Sequence, residues 1–204
     1  MNKQQIIAKY GKKFVSTSET TPVLMGVHYA AGGTVYATNR HYGIRIRNAH
    51  NFEQALTLDA KTGALIEGTY PDMSKIFPGV TSMEIELLPA ALESVVKRVA
   101  MAVDVVKRID KKVPLLKLDA RNGSVNLNIS NQEHGLEFTA FFGNTDVIES
   151  SVRSLNGEYL LTALQLFNDA GRGVTLMLSG PMSPIVLTDG GDIDVITLPY
   201  RTTD

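Results

Sequence analysis

Leu65-Ile66-Glu67-Gly68-Thr69-Tyr70-Pro71-Asp72-Met73-Ser74-Lys75-Ile76-Phe77-Pro78 separates two stretches of different texture. Proline fixes φ and offers no N–H, so Tyr70-Pro71-Asp72 interrupts any regular element, and Pro78-Gly79 reads as a turn. Residues 69–81 are therefore the expected linker or boundary between one part over 1–80 and another over 81–204.

Downstream, Met83-Glu84-Ile85-Glu86-Leu87 alternates as a strand does. A helix is expected from Pro89 to Arg108, with Leu88, Leu92, Val95, Val96, Val99, Val103 and Val106 on one stripe. Proline suits its first turn. Strands follow over 115–120 and 124–130, joined by Arg121-Asn122-Gly123, whose Asn-Gly pair suits a two-residue hairpin. Further strands are expected over 135–142 and 147–154, then a helix over 159–170 stopped by Gly171, then strands over 174–179, 185–189 and 194–198. Strand, helix and several strands thus occur twice, at about 60 residues per copy. The fold class is α+β, with antiparallel sheets carrying helices on one face.

Upstream, residues 3–13 form a short basic helix ended by Gly11. Residues 23–29 and 34–37 flank Ala31-Gly32-Gly33 as a hairpin. Tyr42 to Arg47 alternates, placing Arg45 and Arg47 on one face, and short strands are expected at 56–58 and 65–66.

The chain has 204 residues and no cysteine, which excludes a disulfide scaffold, a thiolate zinc site and a cysteine nucleophile. No apolar run is long enough to span a bilayer, and the first residues lack the apolar core of a signal peptide, so a cytoplasmic protein is expected. Residues 1–50 carry seven basic residues against Glu19 alone, whereas the rest carries 13 basic and 20 acidic residues. Such an asymmetry suits one face that attracts polyanions, or simply a solvated basic end. His28, His41, His50 and His134 are scattered, and no nucleophile elbow, phosphate loop or dinucleotide motif is present. Asp189-Gly190-Gly191-Asp192 reads as a hairpin turn, not a calcium loop, and Glu84 and Glu86 as a solvent face. No enzyme, metal site or cofactor is expected. Tyr42, Arg45 and Arg47, or Lys97, Lys107 and Arg108, have the chemistry for phosphate contacts; the helix cations equally suit an exposed face balanced by Glu93 and Asp104.

The linker closely resembles the "LIEGxYPDYxxVxP" segment of bacterial DNA polymerase III beta sliding clamps, which joins the middle domain to the last. Leu88 to Val99 looks like that last domain's first helix. Leu155-Asn156-Gly157-Glu158-Tyr159-Leu160-Leu161-Thr162-Ala163-Leu164 is similar to "FNxxYLxxxL". Residues 183–189 and Ile196-Thr197-Leu198-Pro199-Tyr200-Arg201 resemble "SPxxIxD" and the "MPxRL" ending. Thr21 to Val27 and Ala37-Thr38-Asn39-Arg40-His41 echo "RPxLxGV" and "ATDGHR". Six short matches in the family's order cover most of the chain.

The resemblance implies a DNA-clamp fold and a processivity factor that encircles double-stranded DNA without reading sequence. Its implied DNA-facing residues are Lys3, Lys9, Lys12, Lys13, Lys97, Arg98, Lys107 and Arg108. It also implies a hydrophobic cleft for short linear motifs of DNA polymerase and clamp-loader subunits. Carried over by position, that cleft comprises Thr38, His41, Pro71, Lys75, Ile76, Ile196, Leu198, Pro199, Tyr200 and Arg201.

The sequence departs from the family where Arg40 replaces a glycine and Tyr42 an arginine, and where Thr202-Thr203-Asp204 runs past the usual end. The part before Tyr70 is also too short for a complete domain. A six-domain ring contains about twelve half-domain units, so four units per chain imply a trimer and three units a tetramer. Shortening of this kind is expected of phage or prophage genes. Other readings are a non-ring clamp-fold decoy of replication partners and a β-rich phage structural protein.

Overall fold

The structure is a computed structural model and describes residues 1–78, 81–110 and 112–201. The turn expected at Pro78-Gly79 and the tail after Arg201 lie partly or wholly outside the described residues.

Helix α1 (Lys3–Phe14) is set by its N-cap: Asn2 accepts from the Gln5 N–H while the Gln5 side chain accepts from the Asn2 N–H. This reciprocal pair satisfies two donors that a helix start otherwise leaves open. Lys12 and Lys13 occupy its last turn, where cations suit the helix dipole. Ile6, Tyr10 and Phe14 are buried. A 3-10 turn at Pro22–Met25 follows, where the sequence suggested strand: Pro22 starts a helical turn more readily than it donates to a ladder. Strands β1 (Gly26–Ala30), β2 (Thr34–Thr38) and β3 (Tyr42–Ile46) form a meander, and β4 (Leu56–Asp59) pairs with β1. Leu65 contributes only an isolated bridge to Leu58 instead of a strand.

After a 3-10 turn at Met73–Ile76 come β5 (Met83–Leu87) and helix α2 (Pro89–Ile109). Leu92, Val95, Val99, Ala102, Val103 and Val106 form the buried face of α2. Leu88 is its N-cap and 59% exposed, so it lies outside the stripe. β6 (Leu115–Arg121) and β7 (Ser124–Asn131) are joined by Asn122 and Gly123 at φ 52° and 77°, the positive values a two-residue hairpin requires. β8 is Leu136–Asn144 and β9 Ser151–Asn156. Helix α3 (Gly157–Asp169) begins earlier than its apolar pattern suggested, because the Asn156 side chain accepts from the Glu158 N–H at 2.9 Å. Gly157 lets α3 approach closely: a Cβ there would lie 2.8 Å from Leu116 and Val103. β10 (Val174–Leu178), β11 (Ile185–Thr188) and β12 (Ile193–Thr197) complete the order.

Two sheets result, both antiparallel. One has eight strands in the order β4-β1-β2-β3-β12-β11-β10-β5, the other four in the order β8-β7-β6-β9. Three units of one helix and four strands are apparent: α1 with β4-β1-β2-β3, α2 with β9-β6-β7-β8, and α3 with β5-β10-β11-β12. β5 precedes α2 but completes the sheet of the α3 unit, and β9 precedes α3 but completes that of the α2 unit. Register puts Ala37, Ile44, Val195, Leu187, Leu176 and Ile85 in one row across the large sheet, all buried in the core. Each fully buried side chain of this size contributes about 1.5–3 kcal/mol.

Candidate functional site

The eight-stranded sheet has a seam where β3 meets β12, with Tyr42 opposite Thr197, Ile44 opposite Val195 and Ile46 opposite Ile193. Side chains alternate across a sheet, so if Ile44 and Val195 face the core, Gly43, Arg45, Asp194 and Ile196 face outward. On that outer face Arg45 Nε donates to Asp194 at 2.8 Å, Arg47 approaches the same carboxylate at 2.6 Å, and Thr188 Oγ1 donates to it at 2.7 Å. The Phe77 ring lies 3.8 Å beneath the Arg45 guanidinium. Arg45 and Arg47 are thus tied to the seam and turned from the helices, while Tyr42 is buried between Phe14 and Tyr159. These three are not the phosphate contacts that the sequence left open.

The linker folds onto the same outer face. Tyr70, Met73 and Leu24 form a small second cluster, with Val23 and Tyr36 packed against it. Gly43 makes room for Met73: a Cβ there would lie 3.1 Å from Met73 Cε and 2.9 Å from the Ala37 carbonyl. Register places Thr38, Gly43, Ile196 and Val186 in one row beneath this segment. Thr38 and Ile196 are buried at 5% and 3% exposure, whereas Ile76 and Leu198 are 40% and 42% exposed. The Leu198 N–H donates to the His41 carbonyl at 2.9 Å, extending the seam by one bond. Thr38, His41, Ile196 and Leu198 thus stand at the seam by register and hydrogen bonding, while Pro71 and Ile76 belong to the linker segment whose Met73 and Phe77 pack over it. Lys75 pairs with Asp72 at 3.0 Å on the solvent side, and hydrogen bonds from Ser74, then Lys75, hold the Asp72 carboxyl below the usual range. Past Pro199 the chain turns to the other sheet, where the Tyr200 N–H donates to the Ser154 carbonyl at 2.7 Å. Tyr200 and Arg201 stand at that far end.

The helices lie on the opposite side. Most of their cations are matched by acids: Lys9 with Asp169 at 2.6 Å, Lys97 with Glu93 at 2.7 Å, Arg108 with Asp104 at 3.2 Å, and Lys107 with Glu158. Arg98 donates to Ser94 and to the Phe141 carbonyl, each at 2.6 Å, and Lys3 reaches Asp192 at 2.6 Å. Burial pushes the Asp169 carboxyl up, but hydrogen bonds from Lys9 and Tyr10 outweigh it and hold it below the usual range. Among the described residues, Lys12 and Lys13 make no ion pair, and Lys13 lies 4.8 Å over the Tyr10 ring. Among the described residues, the helix cations without an ion pair are thus Lys12 and Lys13 at the end of α1 and Arg98 on α2. This neutralisation was hidden in the sequence where partners lie far apart, as with Lys107 and Glu158.

Asp189 caps its own turn, accepting from the Gly191 and Ile193 N–H groups at 2.9 and 3.0 Å, and pairs with Arg172. That is the hairpin turn expected for this loop. No group of three metal-ligating side chains occurs among the described residues. No helix among them is long and apolar enough to cross a membrane.

No protein-family model and no curated protein matches the sequence. Solved structures do match the fold. The DNA polymerase III beta chain from Streptococcus pneumoniae TIGR4 superposes with a TM-score of 0.79 at 18% identity over 99% of this chain and 64% of its own. The DNA polymerase sliding clamp from Bacillus subtilis gives 0.75 at 18% identity, over 98% and 63%. A putative DNA polymerase III beta subunit from Eubacterium rectale gives 0.80 at 12% identity, over 100% and 65%. The chain has the sliding-clamp fold and spans just under two thirds of these proteins' length.

Proposed function

We propose that this chain is a sliding-clamp-like processivity factor, not an enzyme, which encircles duplex DNA in the cytoplasm and docks DNA polymerase and clamp-loader subunits at the seam. The observation that carries this reading is the fold itself: three helix-bearing units whose helices share one side, with an apolar-rimmed seam on the other. Contact with DNA through the α1 end is electrostatic and sequence-independent, which permits sliding. At the seam, Ile76 and Leu198 offer exposed apolar surface beside the buried Ile196, suited to a leucine or phenylalanine of a short linear motif.

The unit count supports a four-copy ring. Within the chain, units meet in two ways: edge to edge at β3 and β12, and helix against helix at α2 and α3. A ring alternates the two. The three described units leave a sheet edge, β8, at one side and the helix side of α1 at the other. Like ends therefore meet across two-fold axes, the number of chains is even, and four copies supply twelve units.

The test is retention on circular DNA, with release when the circle is linearised, together with the native mass. A tetramer retained only on circles is expected. A trimer overturns the stoichiometry, and a persistent monomer without retention overturns the ring in favour of a decoy of replication partners.

A further inference from the structure

A cleft of about 400 Å³, separate from the seam, opens between the starts of β5 and β9 and the loop that follows β10. Arg153 lines it together with Ser82, Ser150 and Ser151. Register sets Arg153 opposite Leu118 and Leu155 opposite Leu116, and all three leucines are buried. Arg153 therefore occupies the core-facing side of β9, where an apolar residue is the rule. Its guanidinium donates to the carbonyls of Val152 and Ser179, both at 3.0 Å, and among the described residues it meets no carboxylate. Burial lowers its pKa from the ordinary value. Neutral carbonyls compensate a desolvated charge less well than an anion does.

The strand itself gives a second, independent observation. β9 pairs only with β6 and is an edge of the four-stranded sheet. The Ser154 carbonyl accepts from the Tyr200 N–H, so Ser154 and, two residues earlier, Val152 turn their main-chain groups to the free side. Tyr200 covers that edge at Ser154; at Val152, beside the cleft, no strand among the described residues covers it. An open edge is a template for an extended chain. Val152 is 44% exposed, and Ile148 and Met182, each one residue beyond the lining, are 75% and 47% exposed, so apolar surface adjoins the arginine. Glu149 stands exposed on the rim. One cation with a carboxylate beside it suits a single negative charge and disfavours a polyanion.

We propose that this cleft receives the carboxylate of an extended peptide from a partner protein, laid along the open edge of β9, with Arg153 as its counter-ion. Ser150 and Ser151 are the neutral donors, and Val152 and Met182 meet the peptide's apolar side chains. The site stands whether or not the chain forms a ring, and it shares no residue with the seam.

The experiment titrates the full chain, carrying labelled methionine and valine methyl groups, and follows the methyl resonances of Met83, Val147 and Val152, which line the cleft. The probes are the peptide acetyl-Val-Thr-Val-Leu as free acid, the same peptide as its amide, acetyl-Val-Thr-Val-Glu as its amide, and inorganic phosphate. Saturable shifts are expected with a peptide carboxylate and not with the leucine amide. A response to the free acid identifies a chain terminus as the source, and a response to the glutamate peptide alone identifies an acidic side chain. Arg153→Gln is expected to weaken binding roughly tenfold, as loss of a charge-assisted hydrogen bond does. Glu149→Gln, at an exposed position, is expected to tighten it roughly threefold and to leave folding unchanged. Leu198→Ala leaves these shifts as they are. No shift with either carboxylate probe overturns the site, as do equal shifts with the leucine amide. Equal saturation by phosphate would make it a simple anion site and overturns the peptide. Should Arg153→Gln fail to fold, unchanged affinity in Glu149→Gln overturns the electrostatic assignment by itself.

Discussion

Arg45 on β3 and Asp194 on β12 face each other across the seam at 2.8 Å, although 149 residues separate them. The Asp194 side chain is 6% exposed and also meets Arg47 and Thr188, so it is the shared anion of the joint between the first and third units. Removing one partner from a buried pair leaves the other charge uncompensated, at a cost of about 3 kcal/mol. Asp194→Asn is therefore expected to lower the urea midpoint far more than Asp104→Asn, whose partner is a solvent-exposed arginine. Equal losses in the two variants would show that the seam does not depend on this carboxylate.

Leu198→Ala and Ile76→Ala are expected to abolish capture of a leucine- and phenylalanine-containing clamp-binding peptide, while leaving the melting temperature within a few degrees. Both side chains are about half exposed, so their truncation removes little core, whereas a buried anchor contact is worth roughly 1.5–3 kcal/mol to the complex. Calorimetric titration of each variant checks this; peptide affinity unchanged in both would place the docking surface elsewhere.

The proposed two-fold pairing of β8 makes a chemical prediction. The chain has no cysteine, so a single cysteine introduced in turn at 138, 140 and 142 reports only its own copy. A disulfide needs Cα atoms about 4.4–6.8 Å apart, which identical positions satisfy only beside a two-fold axis. Strong cross-linking at one position of the three is expected; none at any, in protein that still forms tetramers, would mean the copies join head to tail.

His28 links acidity to the linker. Its ring stacks on Tyr70 at 4.5 Å and 5°, and its Nδ1 lies 2.9 Å from the Thr57 hydroxyl. Burial, then the neighbouring His50, holds its pKa below the usual value. The unfolded chain takes up a proton near pH 6.5, before the folded chain does. Stability from this site is thus intact above about pH 6.5 and falls as the pH drops below it. Carboxylates held low, such as Asp169, lose their contribution only below about pH 4. Urea midpoints at pH 7.5, 6 and 5 should decline in the wild type and flatten in His28→Gln; parallel declines would exclude the imidazole as the cause.

What the sequence made legible was local. The valine stripe of α2 and the Asn122-Gly123 turn each follow from neighbours within a few residues. Pro22 and Leu65 misled because a 3-10 turn and a single bridge share the composition of short strands. The seam was visible only through resemblance, since β3 and β12 carry no mutual signal in composition.

The strand that β3 zips against is made some 150 residues later, so during synthesis the first unit waits with an uncovered β edge until residues 193–197 emerge. β5 and β9, by contrast, interlock the two later units, which must mature together. The newborn protein therefore carries this exposed edge through most of its synthesis, and slowing translation anywhere between residues 60 and 193 should harm its yield more than slowing it before the first unit is made.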